Sequence, residues 1–390
     1  MFDLRPDQFH TVRRLPPYVF AQVAEIVAAA RAEGKEVLDL SMGSPDMRAP
    51  QIVIDALKDA VDAPDASRYS ASAGVEKLRK ACADYYGRRF GVRLDPDLHV
   101  VSTLGSKNAF ANLATAITAP GDVVLVPNPS YPIHTFGFIL AGGVVRPYPV
   151  EPNDNLFRQA EWAIRYSTPK PIAMVLNYPA NPTTKTADFA FFEEAVRFAR
   201  KHELFILSDL AYAEIYYDEP PHSILEVPGA RDLAVEFTSA SKSFNMAGWR
   251  VGFTVGNERL IQALTRVKSY LDYGSFAPIQ HATALALDNA EAITADVRIQ
   301  YRARRDAFLE AASAAGWDLP KPDASMFIWA PLPKGETDSV SFCKRMVREA
   351  GVALSPGVGF GEGGTGHIRI ALVAPEDQLA SAATRIARAI

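Results

Sequence analysis

Between about residues 97 and 256, short apolar runs alternate with stretches in which apolar residues follow a helical spacing. The runs are rich in Val, Ile, Leu and Phe, which is typical of strands buried on both faces of a sheet. Helical patterns over 106–118 and 188–203 lie between some of them. This alternation predicts an α/β fold with a mostly parallel central sheet. The predicted strands are 98–103, 123–128, 171–177, 204–209, 235–240 and 251–256.

The flanking segments have other patterns. Apolar residues at helical spacing follow Pro16-Pro17 and end at Gly34, which predicts an amphipathic helix over 16–34. Residues 279–313 contain no glycine and predict one long, charged helix. Shorter elements after it predict a smaller α+β domain. They are the strands 325–332 and 367–373 and the helices 340–351 and 376–390.

The length of the chain indicates more than one domain. Its 390 residues exceed what one simple core usually holds, and 48% hydrophobic with 22% charged residues is typical of a soluble globular protein. We expect an N-terminal segment, 1–45, that contributes to the small domain. The large domain would span 46–285 and the small C-terminal domain 286–390.

Charge, histidines and cysteines exclude several kinds of partner. The net charge is −4 and the basic residues are dispersed, so no nucleic-acid partner is expected. The first twenty residues lack a continuous apolar stretch, so no signal peptide or membrane span is expected. The seven histidines show no metal-ligand spacing, and we predict no metal. Cys82 and Cys343 are expected to be buried free thiols, which fits a cytoplasmic location.

Residues 239–253, SASKSFNMAGWRVGF, are the most informative segment. Lys242 follows a predicted strand, with Ser239 and Ser241 before it and Arg250 eight residues after it. An amine flanked by hydroxyls and a guanidinium suits a phosphorylated aldehyde, with the lysine as the covalent attachment point. The alternative is an ordinary surface lysine.

Two further motif matches fail in their context. Residues 239–242 match the Ser-x-x-Lys signature of β-lactamases, but Ser-Asp-Leu (208–210) and Lys-Thr-Ala (185–187) miss the two companion motifs. Residues 359–364 match Gly-x-Gly-x-x-Gly, the dinucleotide fingerprint. A strand-like run follows that match where the fingerprint needs a helix.

Polar residues follow several predicted strands, at the edge where an α/β sheet binds its ligands. Asp209 could pair with a protonated pyridine nitrogen, and Tyr212 could donate to a ring oxygen; the alternative is a helix cap with a packed tyrosine. Asn181 lies in a predicted turn and could reach a ring oxygen or a carboxylate. Ser106 opens a helix that could bind an anion. Arg369, inside an apolar strand, suits either a substrate carboxylate or a structural ion pair.

Taken in order, Asn181-Pro-Thr, Asp209-x-x-Tyr212, Ser239-x-Ser-Lys242, Arg250 and Arg369 resemble the class I and II aminotransferases. The resemblance covers nearly the whole chain. It implies the fold type I of enzymes dependent on pyridoxal 5′-phosphate (PLP), with a large and a small domain. It also implies a homodimer with shared active sites.

The resemblance assigns the catalytic roles. Lys242 would bind the cofactor and move the proton at the substrate Cα, and Asp209 would pair with the pyridine nitrogen. Tyr212 and Asn181 would contact the ring oxygen, and Tyr131 would stack on the ring.

The remaining site residues are implied in the same way. The phosphate would be bound by Ser106, Lys107, Ser239 and Arg250, and by Tyr69 of the neighbouring subunit. The substrate would contact Arg369 and Asn181, the Gly43 backbone and Tyr18.

Within the family, LPPYVF, SMGSPD and VLVPNPSYPIH are most similar to bacterial alanine (glutamate–pyruvate) transaminases. The expected reaction is L-alanine + 2-oxoglutarate = pyruvate + L-glutamate. Alternatives are another amino donor (aromatic, methionine or LL-diaminopimelate), a PLP-dependent C–S lyase or other PLP enzyme, and a PLP-sensing regulator domain. The group that binds a second substrate carboxylate stays open among Arg14, Lys268 and the loop 270–278.

Overall fold

The structure is a computed structural model that describes Arg5 and residues 8–390. We number its strands in chain order. They are β1 Leu38–Asp39, β2 Val100–Thr103, β3 Val123–Asn128, β4 Val144–Pro149, β5 Ala173–Asn177, β6 Phe205–Asp209, β7 Ala234–Ser239, β8 Gly252–Gly256, β9 Phe327–Pro331, β10 Val352–Ala353, β11 Ser355–Pro356 and β12 His367–Ala371.

The helices are numbered in the same way. They are α1 Val19–Ala32, α2 Gln51–Val61, α3 Glu76–Phe90, α4 Ser106–Ile117, α5 Pro132–Leu140, α6 Asp154–Arg165, α7 Phe189–His202, α8 Ala240–Ser243, α9 Glu258–Leu271, α10 Ala277–Asp288, α11 Ala290–Ala314, α12 Ser339–Glu349 and α13 Glu376–Ala389.

In the described part of the chain, seven strands form the central sheet in the order β2-β8-β7-β6-β5-β3-β4. The pairs from β7 through β4 are parallel, whereas β8 is antiparallel to both of its neighbours. All six strands predicted from apolar runs belong to this sheet, and the predicted α/β class is confirmed. Because the parallel strands point the same way, their carboxyl ends share one edge.

Apolar helices cover both faces of the sheet. One hydrophobic cluster packs α2, α3, α6, α7 and α10 against one face, and a second packs α4, α5 and α9 against the other. Strands such as β5 and β7 are therefore buried at every residue. Their near-continuous apolar sequence is the direct consequence.

The C-terminal elements form a second unit with its own core. The small sheet β11-β12-β9 packs with α11, α12 and α13 around its own core. The N-terminal segment joins this unit, since α1 packs on α12 and β1 pairs with β10. This packing supports the proposed division at 1–45, 46–285 and 286–390, which stays a prediction.

Three details differ from the sequence prediction. The predicted helix 279–313 is two helices, which meet at Asn289, where the backbone leaves helical geometry at ψ 21°. The first helix begins at Val19 and not at 16. Strand β4 was missed because Pro147 and Pro149 interrupt it, which an edge strand tolerates.

The described residues contain no helix long and apolar enough to cross a bilayer. They also contain no group of three or more His, Cys, Asp or Glu side chains that could hold a metal ion. Cys82 and Cys343 are free and buried, and burial raises the pKa of both thiols.

One strand of the central sheet carries a fully buried carboxyl group. Glu236 on β7 accepts hydrogen bonds from Tyr86 Oη at 2.8 Å and Ser208 Oγ at 3.0 Å, and also from Ser223 Oγ and the Ile224 N–H. Burial outweighs these donors and raises the pKa of Glu236 from 4.5 to about 7. The folded protein therefore retains a proton that the unfolded chain releases above pH 4.5.

This retained proton predicts a pH-dependent stability difference. As the pH rises from 4.5 to 7, the contribution of Glu236 to the free energy of unfolding falls. The difference between the wild type and Glu236→Gln should therefore fall by roughly 3 kcal/mol over that range. Urea denaturation followed by circular dichroism measures it, with the exposed Glu310→Gln as the control. A pH-independent difference would contradict the prediction.

Candidate active site

One cavity of about 250 Å³ lies at the carboxyl edge of the central sheet, where the small sheet meets it. It brings together residues that are distant in sequence. Twelve of the thirteen predicted site residues line it: Tyr18, Gly43, Ser106, Lys107, Tyr131, Asn181, Asp209, Tyr212, Ser239, Lys242, Arg250 and Arg369.

Lys242 lies on α8, the short helix that directly follows β7. Ser239 caps this helix by accepting a hydrogen bond from the Ser241 N–H at 3.2 Å. The Lys242 ammonium donates to the Gly43 carbonyl. Burial, together with the positive charges of Arg369 and Arg250, lowers the pKa of Lys242 to about 8. The neutral, nucleophilic fraction of the amine near neutral pH is therefore much larger than that of an ordinary lysine.

Asp209 ends β6 and is buried at the floor of the cavity. Its Oδ2 lies 2.9 Å from His134 Nε2, and its Oδ1 accepts a hydrogen bond from the Ala211 N–H at 3.2 Å. Asn177 also donates to the Asp209 backbone carbonyl at 2.9 Å. The carboxylate is thus fixed in position while still facing the cavity.

Two tyrosines line the same cavity. Tyr131 immediately precedes α5, and burial raises the pKa of its hydroxyl to about 12. Tyr212 packs edge-on against Phe327 with ring centroids 5.5 Å apart, and burial raises the pKa of its hydroxyl as well. Both hydroxyls therefore stay protonated and available as hydrogen-bond donors.

An anion cradle forms where α4 begins. Gly105 precedes the helix at φ 88° and provides no side chain to cap the first N–H groups. A Cβ at this position would lie 2.7 Å from Arg250 Nη2, so only glycine lets the guanidinium approach. Arg250 is held by bonds to the Ala247 and Leu104 carbonyls, each 3.0 Å long. Helix N–H groups, a guanidinium and nearby serine hydroxyls suit a phosphate.

Arg369 enters the cavity from β12 and is buried. Its Nη1 donates to Asn181 Oδ1 at 2.8 Å, and its Nη2 donates to the Ser41 carbonyl at 2.9 Å and to Ser355 Oγ at 3.2 Å. Its Nε has no hydrogen-bond partner, and no carboxylate of the described residues forms an ion pair with it. Burial lowers the pKa of Arg369 to about 10, so it stays charged at neutral pH.

An unpaired buried guanidinium is costly, so the geometry fits an external anion better than a structural ion pair. The donor set as a whole fits a phosphorylated aromatic aldehyde, with the amine of Lys242, the carboxylate of Asp209 and the phosphate cradle around a single space.

Tyr69 is the predicted site residue that this cavity does not include. It is 86% exposed and packs against Tyr273, with ring centroids 4.8 Å apart. Of the groups considered for a second carboxylate, Lys268 is buried and bonded to Asp272 at 2.7 Å. Arg14 lines a separate cavity.

The sequence analysis missed three kinds of lining or supporting residue. His134, which bonds Asp209, has a detectable signal because it lies three residues after Tyr131, one turn along α5. Phe20 and Phe327 carry no signal, since their sequence context is that of ordinary core residues. Ser41 acts through its backbone carbonyl, which any residue could provide.

Comparisons with known proteins agree with this geometry. The sequence pattern of the family Aminotransferase class I and II matches residues 35–386. Glutamate-pyruvate aminotransferase AlaC of Escherichia coli is 44% identical over 98% of this chain and 94% of its own length. An LL-diaminopimelate aminotransferase of Natranaerobius thermophilus is 40% identical over 97% of this chain and 98% of its own length. A solved structure of Thermus thermophilus aspartate aminotransferase with maleate superposes with a TM-score of 0.90 at 30% identity, covering 100% of both chains.

The lowered pKa of Lys242 predicts its reactivity. In the cofactor-free protein, acetylation of Lys242 by acetic anhydride should rise with a midpoint near pH 8. Arg369→Met should move that midpoint upward, because it removes one of the two positive neighbours. Peptide mass spectrometry measures both, with the exposed Lys77 as an internal standard. A midpoint that stays at 10.5 in the wild type would refute the proposed environment.

Proposed function

The chain belongs to the class I and II aminotransferases, which are PLP-dependent, and we propose that it transfers the amino group of L-alanine to 2-oxoglutarate. The products are pyruvate and L-glutamate. The choice of substrates is supported by the 44% identity with the glutamate-pyruvate aminotransferase AlaC.

The observation that carries the proposal is the buried guanidinium of Arg369, which has no carboxylate partner among the described residues and lines the cavity that also holds Lys242. Amino acids and 2-oxo acids share an α-carboxylate, so one fixed guanidinium serves both half-reactions. Arg369 binds this carboxylate, and Asn181 holds the guanidinium through its 2.8 Å bond. The Gly43 backbone and Tyr18 complete the contacts to the substrate.

The cofactor, when bound, supplies an aldehyde for the amino group and an aromatic ring that accepts the electron pair released at Cα. Lys242 provides the covalent attachment, and as a free amine it moves the proton at Cα. Asp209, supported by His134, keeps the pyridine nitrogen protonated. Tyr212 and Asn181 would hold the ring oxygen through hydrogen bonds, and Tyr131 would contact the ring.

The cradle at the start of α4 would hold the phosphate. Ser106 and Lys107 contribute backbone N–H groups, and Ser239 and Arg250 contribute side chains. Since the helix N-terminus and the guanidinium both favour negative charge, this end of the cavity fixes the orientation of the cofactor.

Glutamate and 2-oxoglutarate need a further cation for their second carboxylate. Four cationic side chains line the cavity among the described residues, and Lys242, Arg250 and Arg369 already have roles. The fourth, Lys107, is exposed at the mouth with its ammonium 5.9 Å from the Tyr18 ring centroid. Lys107 therefore binds the distal carboxylate through its side chain, in addition to its backbone contact.

The proposed unit is a homodimer in the cytoplasm. Four aromatic side chains close in sequence or in contact are exposed, which is typical of a protein–protein interface. They are Tyr69, Tyr270, Tyr273 and Phe276. In the dimer, Tyr69 reaches the phosphate of the neighbouring subunit. The two reduced, buried cysteines fit a reducing compartment.

A panel of amino donors tests the reaction. With 2-oxoglutarate as acceptor, L-alanine should be the best donor and glutamate should accumulate, as measured by coupled glutamate dehydrogenase. If LL-diaminopimelate, an aromatic amino acid or methionine is much better, the alanine assignment is wrong and the aminotransferase class stands. Release of ammonia without any acceptor would instead indicate a lyase.

Lys107→Met tests the second carboxylate. The KM for 2-oxoglutarate should rise up to about fivefold, because an exposed ion pair with the distal carboxylate is lost. In the direction that forms alanine, the KM for pyruvate should change less than about twofold, since pyruvate has one carboxylate. Lys58→Met on α2 is the control, an exposed lysine that pairs with Asp55. Equal changes for both 2-oxo acids would exclude this role.

A further inference from the structure

The glycine-rich segment 357–364, which includes the discarded dinucleotide motif, connects the small sheet to the large domain. It follows β11 and precedes β12, the strand that carries Arg369. The Phe360 carbonyl accepts a hydrogen bond from the Ser130 N–H at 2.8 Å, and the Gly363 N–H donates to Asn128 Oδ1 at 2.9 Å. A Cβ at Gly363 would lie 2.8 Å from the Pro129 nitrogen, so glycine is required for this approach.

The segment places the Phe360 side chain against the guanidinium of Arg369. Phe360 is 3% exposed, and its ring centroid lies 4.6 Å from Arg369 Cζ. Phe327 from β9 lies 4.2 Å from the same atom, and Phe20 from α1 lies 5.9 Å away. Three aromatic rings from three separate segments therefore surround one charged group.

These rings complement the polar contacts of Arg369. Hydrogen bonds from Nη1 and Nη2 fix the guanidinium at one edge, and the rings restrict its rotation and attract its charge. Its Nε is buried and has no hydrogen-bond partner, and no described carboxylate pairs with the guanidinium. Phe360 also packs against Phe20 and Trp329, with ring centroids 5.2 and 5.9 Å away, so its own position is fixed.

We propose that Phe360 is a positioning residue for substrate binding: it holds Arg369 in the orientation that receives the α-carboxylate. This rests on the proposed carboxylate role of Arg369. The Phe360 carbonyl also accepts a hydrogen bond from the N–H of Ser130, the residue before Tyr131. Phe360 therefore fixes the position of Arg369 relative to Tyr131.

The test compares L-alanine with ethylamine, which is alanine without its carboxylate. Single-turnover reactions of the holoenzyme are followed by the absorbance of the cofactor. In Phe360→Leu, the efficiency of the alanine reaction should fall about tenfold, the order expected for a desolvated cation–π contact. The slow ethylamine reaction should change less than twofold. Phe360→Tyr, which keeps the aromatic face, should restore most of the alanine efficiency.

Val358→Ala is the matched control, since Val358 belongs to the same segment but is 39% exposed. It should leave the alanine-to-ethylamine ratio unchanged. An equal loss for both amines in Phe360→Leu would show a general disturbance of the site and overturn the proposal, as would an unchanged alanine efficiency.

A double-mutant cycle separates this proposal from the proposed function. Arg369→Gln alone should reduce the alanine-to-ethylamine ratio, and failure there would refute the carboxylate role of Arg369. If that role holds, Phe360→Leu should have no further effect on the ratio in the Arg369→Gln background. A full, additive effect in that background would show that Phe360 does not act through Arg369.

Discussion

The active site depends on positive charge that is crowded into a small, partly desolvated space. Lys242, Arg250 and Arg369 line one cavity, and the two guanidinium groups help to lower the pKa of Lys242 to about 8. An arginine keeps its charge under these conditions, whereas a lysine gives up its proton more readily. Burial and the neighbouring positive charges therefore favour both the proposed binding of carboxylate and phosphate and the free amine that the proposed role of Lys242 requires.

The loop from Ser41 to Asp46 connects these groups mechanically. The Ser41 carbonyl accepts a hydrogen bond from Arg369, and the Gly43 carbonyl accepts one from Lys242. The Asp46 carboxylate accepts two hydrogen bonds from Arg304, 2.7 and 2.9 Å long. The loop thus joins Arg369 of the small sheet to Lys242 on α8, the helix that follows the central sheet. Because backbone carbonyls accept the bonds from Arg369 and Lys242, the side chains of the loop do not reveal these contacts in the sequence.

The sequence predicted those features that leave a pattern along the chain. The buried strands were readable because most of their residues are apolar. Asp209, Lys242 and Arg369 were noticed because polar groups follow or interrupt such strands. The break at Asn289 was missed because no glycine or proline marks it in the sequence. Phe20, Phe327 and Phe360 were missed because an aromatic residue beside a guanidinium has the same sequence appearance as one in a core.

Specificity follows a different physical rule from catalysis. Under the proposed reaction, one site must accept 2-oxoglutarate and pyruvate in turn, so the group that binds the second carboxylate is unused half of the time. A buried cation left without a partner would cost several kcal/mol when pyruvate binds. Lys107 is exposed, so water can solvate its ammonium when no second carboxylate is present. A buried arginine for the shared carboxylate and an exposed lysine for the optional one therefore allow both substrates without a penalty for either.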